Sequence, residues 1–193
     1  AGRRYAEARA VLGPAVCYNV FATLEGAQVG PEPLIRTARN RCHRYESRNA
    51  EGLRRLQAFS MREIVFLGDR EQVEAQRQSL MNATQALLEG WGLAFRVETA
   101  CDPFFAGEAD KQRAFQSAFE LKYELQAHLP YDDSWLAVAS FNIHMDKLTG
   151  AYSIQAAGDR KLFSGCAAYG LDRLALALTA QFGTDPERWP FQL

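Results

Sequence analysis

Residues 41–47 read RCHRYES and residues 54–66 read RRLQAFSMREIVF, and this pair of stretches decides the fold. The polar sequence SRNAEG between them predicts an antiparallel hairpin with a long loop. Alternation along the second arm puts Phe59, Met61 and Glu63 on one face of the strand. Leu56, Ala58 and Ile64 are expected on the other face.

Outward from the hairpin, strands outnumber helices. Further strands are predicted at residues 15–24, 93–98, 119–129, 135–144 and 164–170, whereas the Gly- and Pro-containing stretch 25–40 is predicted as loop. Helices are predicted at residues 3–12, at 70–89 behind an Asp69 cap, and over LDRLALALTAQ, residues 171–181. The joining segments resemble hairpins more than crossover helices, so the fold class is α+β, an antiparallel sheet with packed helices.

Composition excludes several classes of protein. The chain has 193 residues, 48% of them hydrophobic, and a formal charge of −1, which predicts one globular domain over residues 1–193 and excludes a disordered chain. No apolar run is long enough for a membrane span and no signal-peptide core is visible, so a cytoplasmic protein without membrane partners is expected. Four cysteines are too few for a disulfide scaffold.

The residues alone leave the chemistry open. An arginine-rich hairpin with one carboxylate in each arm is typical of a site for a phosphate or a carboxylate, or simply of a solvated face with cross-strand ion pairs. Lys122 falls on the polar side of its alternating strand, where a solvated lysine is the usual case, and Asp102 precedes a proline as a turn residue can. The cysteines and histidines show no zinc-finger spacing, and the common nucleotide-binding and hydrolase motifs are absent.

Taken together, two segments resemble motifs 2 and 3 of the class II aminoacyl-tRNA synthetases. Arg44-Tyr45-Glu46 and the strand RLQAFSMREIVF resemble motif 2, and GCAAYGLDRL resembles motif 3. Within that superfamily the chain most resembles the amino acid:[carrier protein] ligases, shortened relatives of the archaeal-type seryl-tRNA synthetases. The stretches PAVCYNVF, CDPFF, LKYEL, ASFNIH and TDPERWP extend the resemblance from about Pro14 to Pro190.

The resemblance implies a zinc ion held by Cys17, Glu63 and Cys166. Three protein ligands leave tetrahedral zinc one open position, which the substrate's α-amino group can take. Thiolates favour zinc over hard cations, and zinc here would orient and select the substrate. Asp102 matches a carboxylate near the substrate amine, while Cys42 and Cys101 are expected to be buried and inert.

The resemblance also implies an ATP site. Arg44 matches the arginine on the α-phosphate, Glu46 the carboxylate beside the adenine amino group, and Phe59 the ring stacked on adenine. Arg173 matches the motif 3 arginine that packs on adenine and reaches the phosphates. Further nucleotide contacts are implied at positions matching Arg55, Leu56, Lys122, Ala137, Val138, Ala139 and Ser140.

The implied reaction activates a small amino acid, of the glycine or alanine type, with ATP and Mg²⁺. The aminoacyl-adenylate then passes its acyl group to the phosphopantetheine thiol of a carrier protein. Positioning and charge stabilisation by arginines and Mg²⁺ are expected to dominate this chemistry. Two alternatives remain: the catalytic core of an archaeal-type seryl-tRNA synthetase, and a zinc- and nucleotide-binding module without turnover.

One part of the family pattern is missing. Only 16 residues precede Cys17, so motif 1, with its usual dimer helix, is expected to be absent from this chain. The homodimer that the family implies therefore stays open. A tRNA partner is not expected, because the near-neutral chain has neither the length nor a basic tract for a tRNA-binding domain.

Overall fold

A six-stranded antiparallel sheet is the centre of the structure, a computed structural model that describes residues 10–46, 51–100 and 120–191. The strands of this sheet are β2 (Leu34–His43), β3 (Ala58–Gly68), β4 (Phe95–Thr99), β5 (Lys122–Leu129), β6 (Ser134–Met145) and β8 (Phe163–Gly170). They lie in the order β2-β3-β8-β6-β5-β4, and every neighbouring pair is antiparallel. The predicted α+β class is confirmed.

Helices and a small second sheet flank the centre. The helices are α1 (Cys17–Thr23), α2 (Arg70–Gly90), α3 (Lys147–Ala151) and α4 (Leu171–Phe182), with 3₁₀ turns at Gly52–Arg54 and Pro186–Arg188. Strands β1 (Gln28–Val29) and β7 (Gln155–Ala156) form a parallel pair. Among the described residues, none of the helices is long and apolar enough to cross a lipid bilayer.

The sheet separates two hydrophobic clusters. One cluster joins the long helix α2 and helix α4 to the sheet through Leu88, Leu178, Phe141 and Leu125. The other joins α1 to the sheet and to the β7 region, and it includes Cys17, Phe21, Val65 and Cys166. The two predicted zinc ligands of cysteine type therefore lie in the α1 cluster.

Helix α2 begins where the sequence predicts. Asp69 accepts a hydrogen bond from the Gln72 amide at 2.9 Å, and the Gln72 side chain accepts one from the Asp69 amide at 2.9 Å. This reciprocal capping box satisfies two amides at the helix terminus. The predicted helix at 171–181 is also confirmed, and it follows β8 directly.

Two predicted segments are wrong. Residues 17–23 form helix α1 and not the strand that their aromatic and β-branched residues indicate. Residues 34–40 belong to strand β2 and not to a loop, because this sheet-edge strand leaves most of its side chains exposed and so lacks the usual alternation. The helix predicted at residues 3–12 falls largely outside the described residues, and residues 10–12 are not helical.

Candidate functional site

The two arms pair as the antiparallel hairpin that the sequence predicts. Cys42 lies opposite Phe59, and Ala38 lies opposite Glu63. Just after β2, the Arg44 guanidinium lies over the Phe59 ring, 5.0 Å from its centroid, and its Nε donates to the Pro14 carbonyl at 3.1 Å. The two arms therefore bring an exposed arginine and a half-buried aromatic ring together.

Arg173 projects from the first turn of α4 and is held by two backbone carbonyls. Its Nε donates to Arg54 O at 2.8 Å, and its Nη1 donates to Ala137 O at 3.0 Å. These acceptors come from the hairpin loop and from β6, so the guanidinium joins that loop to the sheet. These two bonds set the orientation of the Arg173 guanidinium.

The surroundings of Arg173 bring together several predicted ATP residues. Burial lowers the pKa of the Arg173 guanidinium, and the positive charges of Arg44 and Arg55 lower it further, whereas the nearby carboxylates of Glu124 and Glu46 oppose this effect. A buried guanidinium whose pKa is lowered by neighbouring positive charges is stabilised by a bound anion. The charges around Arg173 therefore suit a phosphate chain.

Residues 137–140 contribute both backbone and side chain. The register between β5 and β6 shifts at Leu125/Gln126, where Leu125 pairs with Ala139 and Gln126 pairs with Ala137. This β-bulge leaves Val138 and Ala139 both buried in the α2 cluster. Ala137 offers its carbonyl to Arg173, and Ser140 accepts a hydrogen bond from Asn142 at 3.1 Å.

Lys122 is buried, contrary to the expectation of a solvated lysine. Its residue is 9% exposed, and its ammonium group pairs with the Glu124 carboxylate at 3.1 Å. Lys122 lies opposite Asn142, and Glu124 lies opposite Ser140, so the polar residues form one patch across β5 and β6. The expectation was wrong because polar residues opposite one another on this face remove Lys122 from solvent.

Glu63 is a buried carboxylate on the returning strand of the hairpin, with 1% exposure. Its Oε1 accepts from the Val16 amide at 2.9 Å and its Oε2 from the Cys17 amide at 3.1 Å, so the carboxylate binds the N-terminus of α1. Burial raises the pKa of the Glu63 carboxyl, and these amide donors oppose the increase. The side chain therefore fixes Cys17 beside the sheet.

Cys166 lies next to Cys17 in the middle of β8. The hydrogen bond between the two thiols, burial and the nearby Glu63 carboxylate all raise the pKa of the Cys166 thiol. Cys166 lies between Val65 on one neighbouring strand and Asn142 on the other. The fold thus brings Cys17, Glu63 and Cys166 together from positions up to 149 residues apart in the sequence.

Two neighbours of Cys166 were not identified from the sequence. Asn142 Nδ2 donates to Cys166 Sγ at 3.4 Å, and His144 Nε2 lies 3.5 Å from the same sulfur, while His144 Nδ1 lies 3.3 Å from Ser164 Oγ. Both lie on β6 two and four residues after Ser140, on the same side of the strand. The alternation along β6 indicates that Asn142 and His144 share one face of the strand. The sequence does not indicate that β6 pairs with β8, which is what places this face beside Cys166.

Cys17, Glu63 and Cys166 suit a metal ion by the chemical type of their donor atoms. Two thiols and a carboxylate are ligands that zinc takes in proteins. Among the residues that the structure describes, no group of three or more such side chains is gathered at metal-binding geometry. Both Glu63 oxygens instead face backbone amides.

The remaining predicted residues are distributed as follows. Leu56 and Glu46 are half-buried beside the hairpin, and Arg55 is exposed. Cys42 is buried, as expected, and burial next to Glu63 raises the pKa of its thiol to about 11. Asp102 and Cys101 lie outside the described residues.

Comparison with known proteins gives consistent relatives. The chain is 37% identical to "Amino acid--[acyl-carrier-protein] ligase 1" of Bradyrhizobium diazoefficiens over 183 residues, which is 93% of this chain and 55% of that protein. It is 31% identical to "Type-2 serine--tRNA ligase" of Methanopyrus kandleri over 93% of this chain and 36% of that protein. The chain therefore spans about half or less of the length of the curated relatives it matches. No protein-family model matches it.

Solved structures agree on the fold. The M. kandleri seryl-tRNA synthetase, in complex with A. aeolicus tRNASec, superposes with a TM-score of 0.81 and 28% identity over 93% of this chain and 36% of that one. The ATP complex of the Pyrococcus horikoshii seryl-tRNA synthetase gives a TM-score of 0.72 at 15% identity, over 88% of this chain and 38% of that one, a likeness of fold. The chain is thus a homologue of the amino acid--[acyl-carrier-protein] ligases and type-2 serine--tRNA ligases, with the fold of a class II synthetase catalytic domain.

Proposed function

We propose that residues 1–193 act as one catalytic domain that uses ATP to activate a small amino acid and transfers it to the phosphopantetheine thiol of a carrier protein. The observation that carries this proposal is that Arg44 and Arg55 lie close enough to Arg173 to lower its pKa, while Arg44 also lies over the Phe59 ring. The ligase relatives at 37% and 34% identity support the reaction class by their names.

The arginines and Phe59 account for nucleotide binding. Phe59 offers an aromatic face for adenine, with Glu46 for its amino group, while Arg44 and Arg173 bind the phosphates and Mg²⁺ shares their charge. A carboxylate oxygen of the amino acid attacks the α-phosphorus, and the bond from that phosphorus to pyrophosphate breaks. The arginines stabilise the negative charge that accumulates on the phosphoryl oxygens.

The acyl transfer completes the reaction. The phosphopantetheine sulfur attacks the carbonyl carbon of the adenylate, the bond to the phosphate oxygen breaks, and AMP leaves with the mixed-anhydride oxygen. The proton of the thiol passes to water, and the product is an aminoacyl thioester. AMP is a good leaving group, so its departure needs no general acid.

We further propose that Cys17, Glu63 and Cys166 hold zinc, and that Asp102 lies near the substrate amine. Bound zinc would supply an open coordination position that selects an α-amino group. The shared location of the two thiols and the carboxylate supports this assignment. The choice of glycine or alanine follows from the family resemblance alone.

A second candidate is serine activation for tRNA. It is favoured by the 28% identical M. kandleri structure, which superposes with a TM-score of 0.81. The two candidates share the adenylation site and differ in the acceptor. They are separated by offering a phosphopantetheinylated carrier protein and tRNA in parallel, with labelled glycine, alanine and serine.

The proposal is tested by amino-acid-dependent pyrophosphate exchange, with zinc content measured on the same sample. Exchange with glycine or alanine, lost in Glu63→Ala and Cys166→Ala, supports adenylation at a zinc-containing site. Bound zinc without exchange supports the module that lacks turnover. A sample that contains no zinc and shows no pyrophosphate exchange would contradict the proposed function.

A further inference from the structure

Arg54 ties the returning end of the hairpin loop, residues 51–57, to the turn between β5 and β6. Its Nε donates to Tyr131 Oη at 3.0 Å, and its Nη2 donates to Ser134 Oγ at 3.0 Å and pairs with the Asp132 carboxylate. On its own side, Nη1 reaches the Glu51 carboxylate at 3.4 Å. All three guanidinium nitrogens are therefore engaged, in a side chain that is only 20% exposed.

The backbone of the same residue holds a predicted ATP-binding side chain. The Arg54 carbonyl accepts the 2.8 Å bond from Arg173 Nε. The second acceptor of Arg173, Ala137 O, lies three residues after Ser134 on β6. Side chain and backbone of Arg54 thus close one ring of contacts that runs through the turn, along β6, across Arg173 and back to Arg54.

This ring of contacts restricts the positions of two guanidinium groups of the site, those of Arg55 and Arg173. Arg55 follows Arg54 directly, so the anchor that fixes Arg54 also limits where the Arg55 guanidinium can lie. Arg173 lies near the positive charges of other arginines, and its hydrogen bonds to Arg54 O and Ala137 O hold the guanidinium in place against their repulsion. A fully engaged fork such as that of Arg54 provides geometric precision that a single surface ion pair does not.

We propose that Arg54 is a positioning residue: it anchors the hairpin to the β5–β6 turn and so fixes Arg173 and Arg55 for the ATP phosphates. The link to ATP rests on the proposed function, but the positioning of Arg173 does not. Arg96 provides the matched control. It too is ion-paired, with Glu98 at 3.1 Å, and it stacks on Trp135 at 4.5 Å, but it does not contact Arg173.

The first measurement follows the Arg173 Nε–H resonance by ¹⁵N NMR, assigned with Arg173→Lys. Solvent exchange of this proton should accelerate at least about tenfold in Arg54→Ala, because its acceptor loses the side-chain anchor, and stay unchanged in Arg96→Ala. Arg54→Lys should accelerate exchange as well, since an ammonium cannot reproduce the planar fork. If Arg54→Ala does not fold, Asp132→Asn replaces it, because this variant removes the charge that pairs with Arg54 and keeps the side-chain volume. It too should accelerate exchange of the Arg173 proton.

The second measurement is the Kd for ATP by calorimetry on the same variants. Loss of one well-placed charged hydrogen bond predicts a Kd about tenfold higher for Arg54→Ala, with Arg96→Ala near wild type. Unchanged exchange of the Arg173 proton overturns the inference. Faster solvent exchange of the Arg173 Nε proton, in a protein that binds no ATP, supports the positioning of Arg173 and overturns the proposed function. Faster solvent exchange of that proton in Arg54→Ala, with an unchanged Kd for ATP, overturns the link to ATP.

Discussion

Glu63 joins the sheet to helix α1, and its removal gives a quantitative test of that role. In Glu63→Ala, the amides of Val16 and Cys17 lose the acceptors that now lie at 2.9 and 3.1 Å. Each unsatisfied buried amide costs about 1–3 kcal/mol, so the two together cost about 2–6 kcal/mol. Relief of the buried carboxylate offsets part of this loss, as its raised pKa indicates.

The expected net loss for Glu63→Ala is therefore about 2–4 kcal/mol in the free energy of unfolding. Glu63→Gln keeps the volume and one acceptor oxygen, so a loss of about 1–2 kcal/mol is expected. Urea unfolding in a buffer that contains a metal chelator measures the free energy of unfolding of both variants without any contribution from bound metal. Glu98→Ala, on exposed β4, is the matched control and should change stability by less than about 1 kcal/mol.

A result within about 0.5 kcal/mol of wild type for both Glu63 variants would refute this reasoning. It would mean that the amides of α1 find other acceptors. Equal losses for Glu63→Ala and Glu98→Ala would contradict it as well, because burial is the difference between the two carboxylates.

Three further predictions follow from the same site. Arg173→Ala should raise the Kd for ATP at least about tenfold, measured by calorimetry, and a Kd equal to wild type would exclude Arg173 from the ATP site. Gly165→Ala should cost about 1–3 kcal/mol in urea unfolding, because a Cβ there would collide with Phe66 and the Asn142 carbonyl, whereas Gly90→Ala, with open space around it, should not. Zinc affinity should rise with pH, by about one decade per pH unit while the Cys166 thiol is protonated, because the pKa of that thiol is raised and zinc binds thiolates. Affinity that is flat with pH in competition titrations would argue against thiolate ligation.

The hairpin, α2 and the β8–α4 unit could be predicted because their signals are local. The polar segment SRNAEG between the two arms marks the hairpin, and the Asp69 cap marks the start of α2. Helix α1 could not be predicted, because its N-terminal amides are satisfied by Glu63, 46 and 47 residues away. Without that partner, its aromatic and β-branched residues favour a strand.

The candidate site shows the same division between local and distant information. The family resemblance identified Arg44, Phe59 and Arg173, and the fold brings them together. The burial of Lys122 and the contacts of Cys166 with Asn142 and His144 depend on which strands become neighbours in the sheet. Strand order is set by packing over the whole domain and is not encoded in any one segment.

The central claim is that this chain forms an aminoacyl-adenylate at the cluster of Arg44, Arg55 and Arg173. The most direct measurement is a single turnover with [α-³²P]ATP, Mg²⁺ and glycine or alanine, with the protein in excess and the nucleotide products separated. The account predicts a labelled aminoacyl-adenylate in near-stoichiometric yield that requires the amino acid and is abolished in Arg44→Ala. Labelled ADP, or no amino-acid-dependent product, would contradict it.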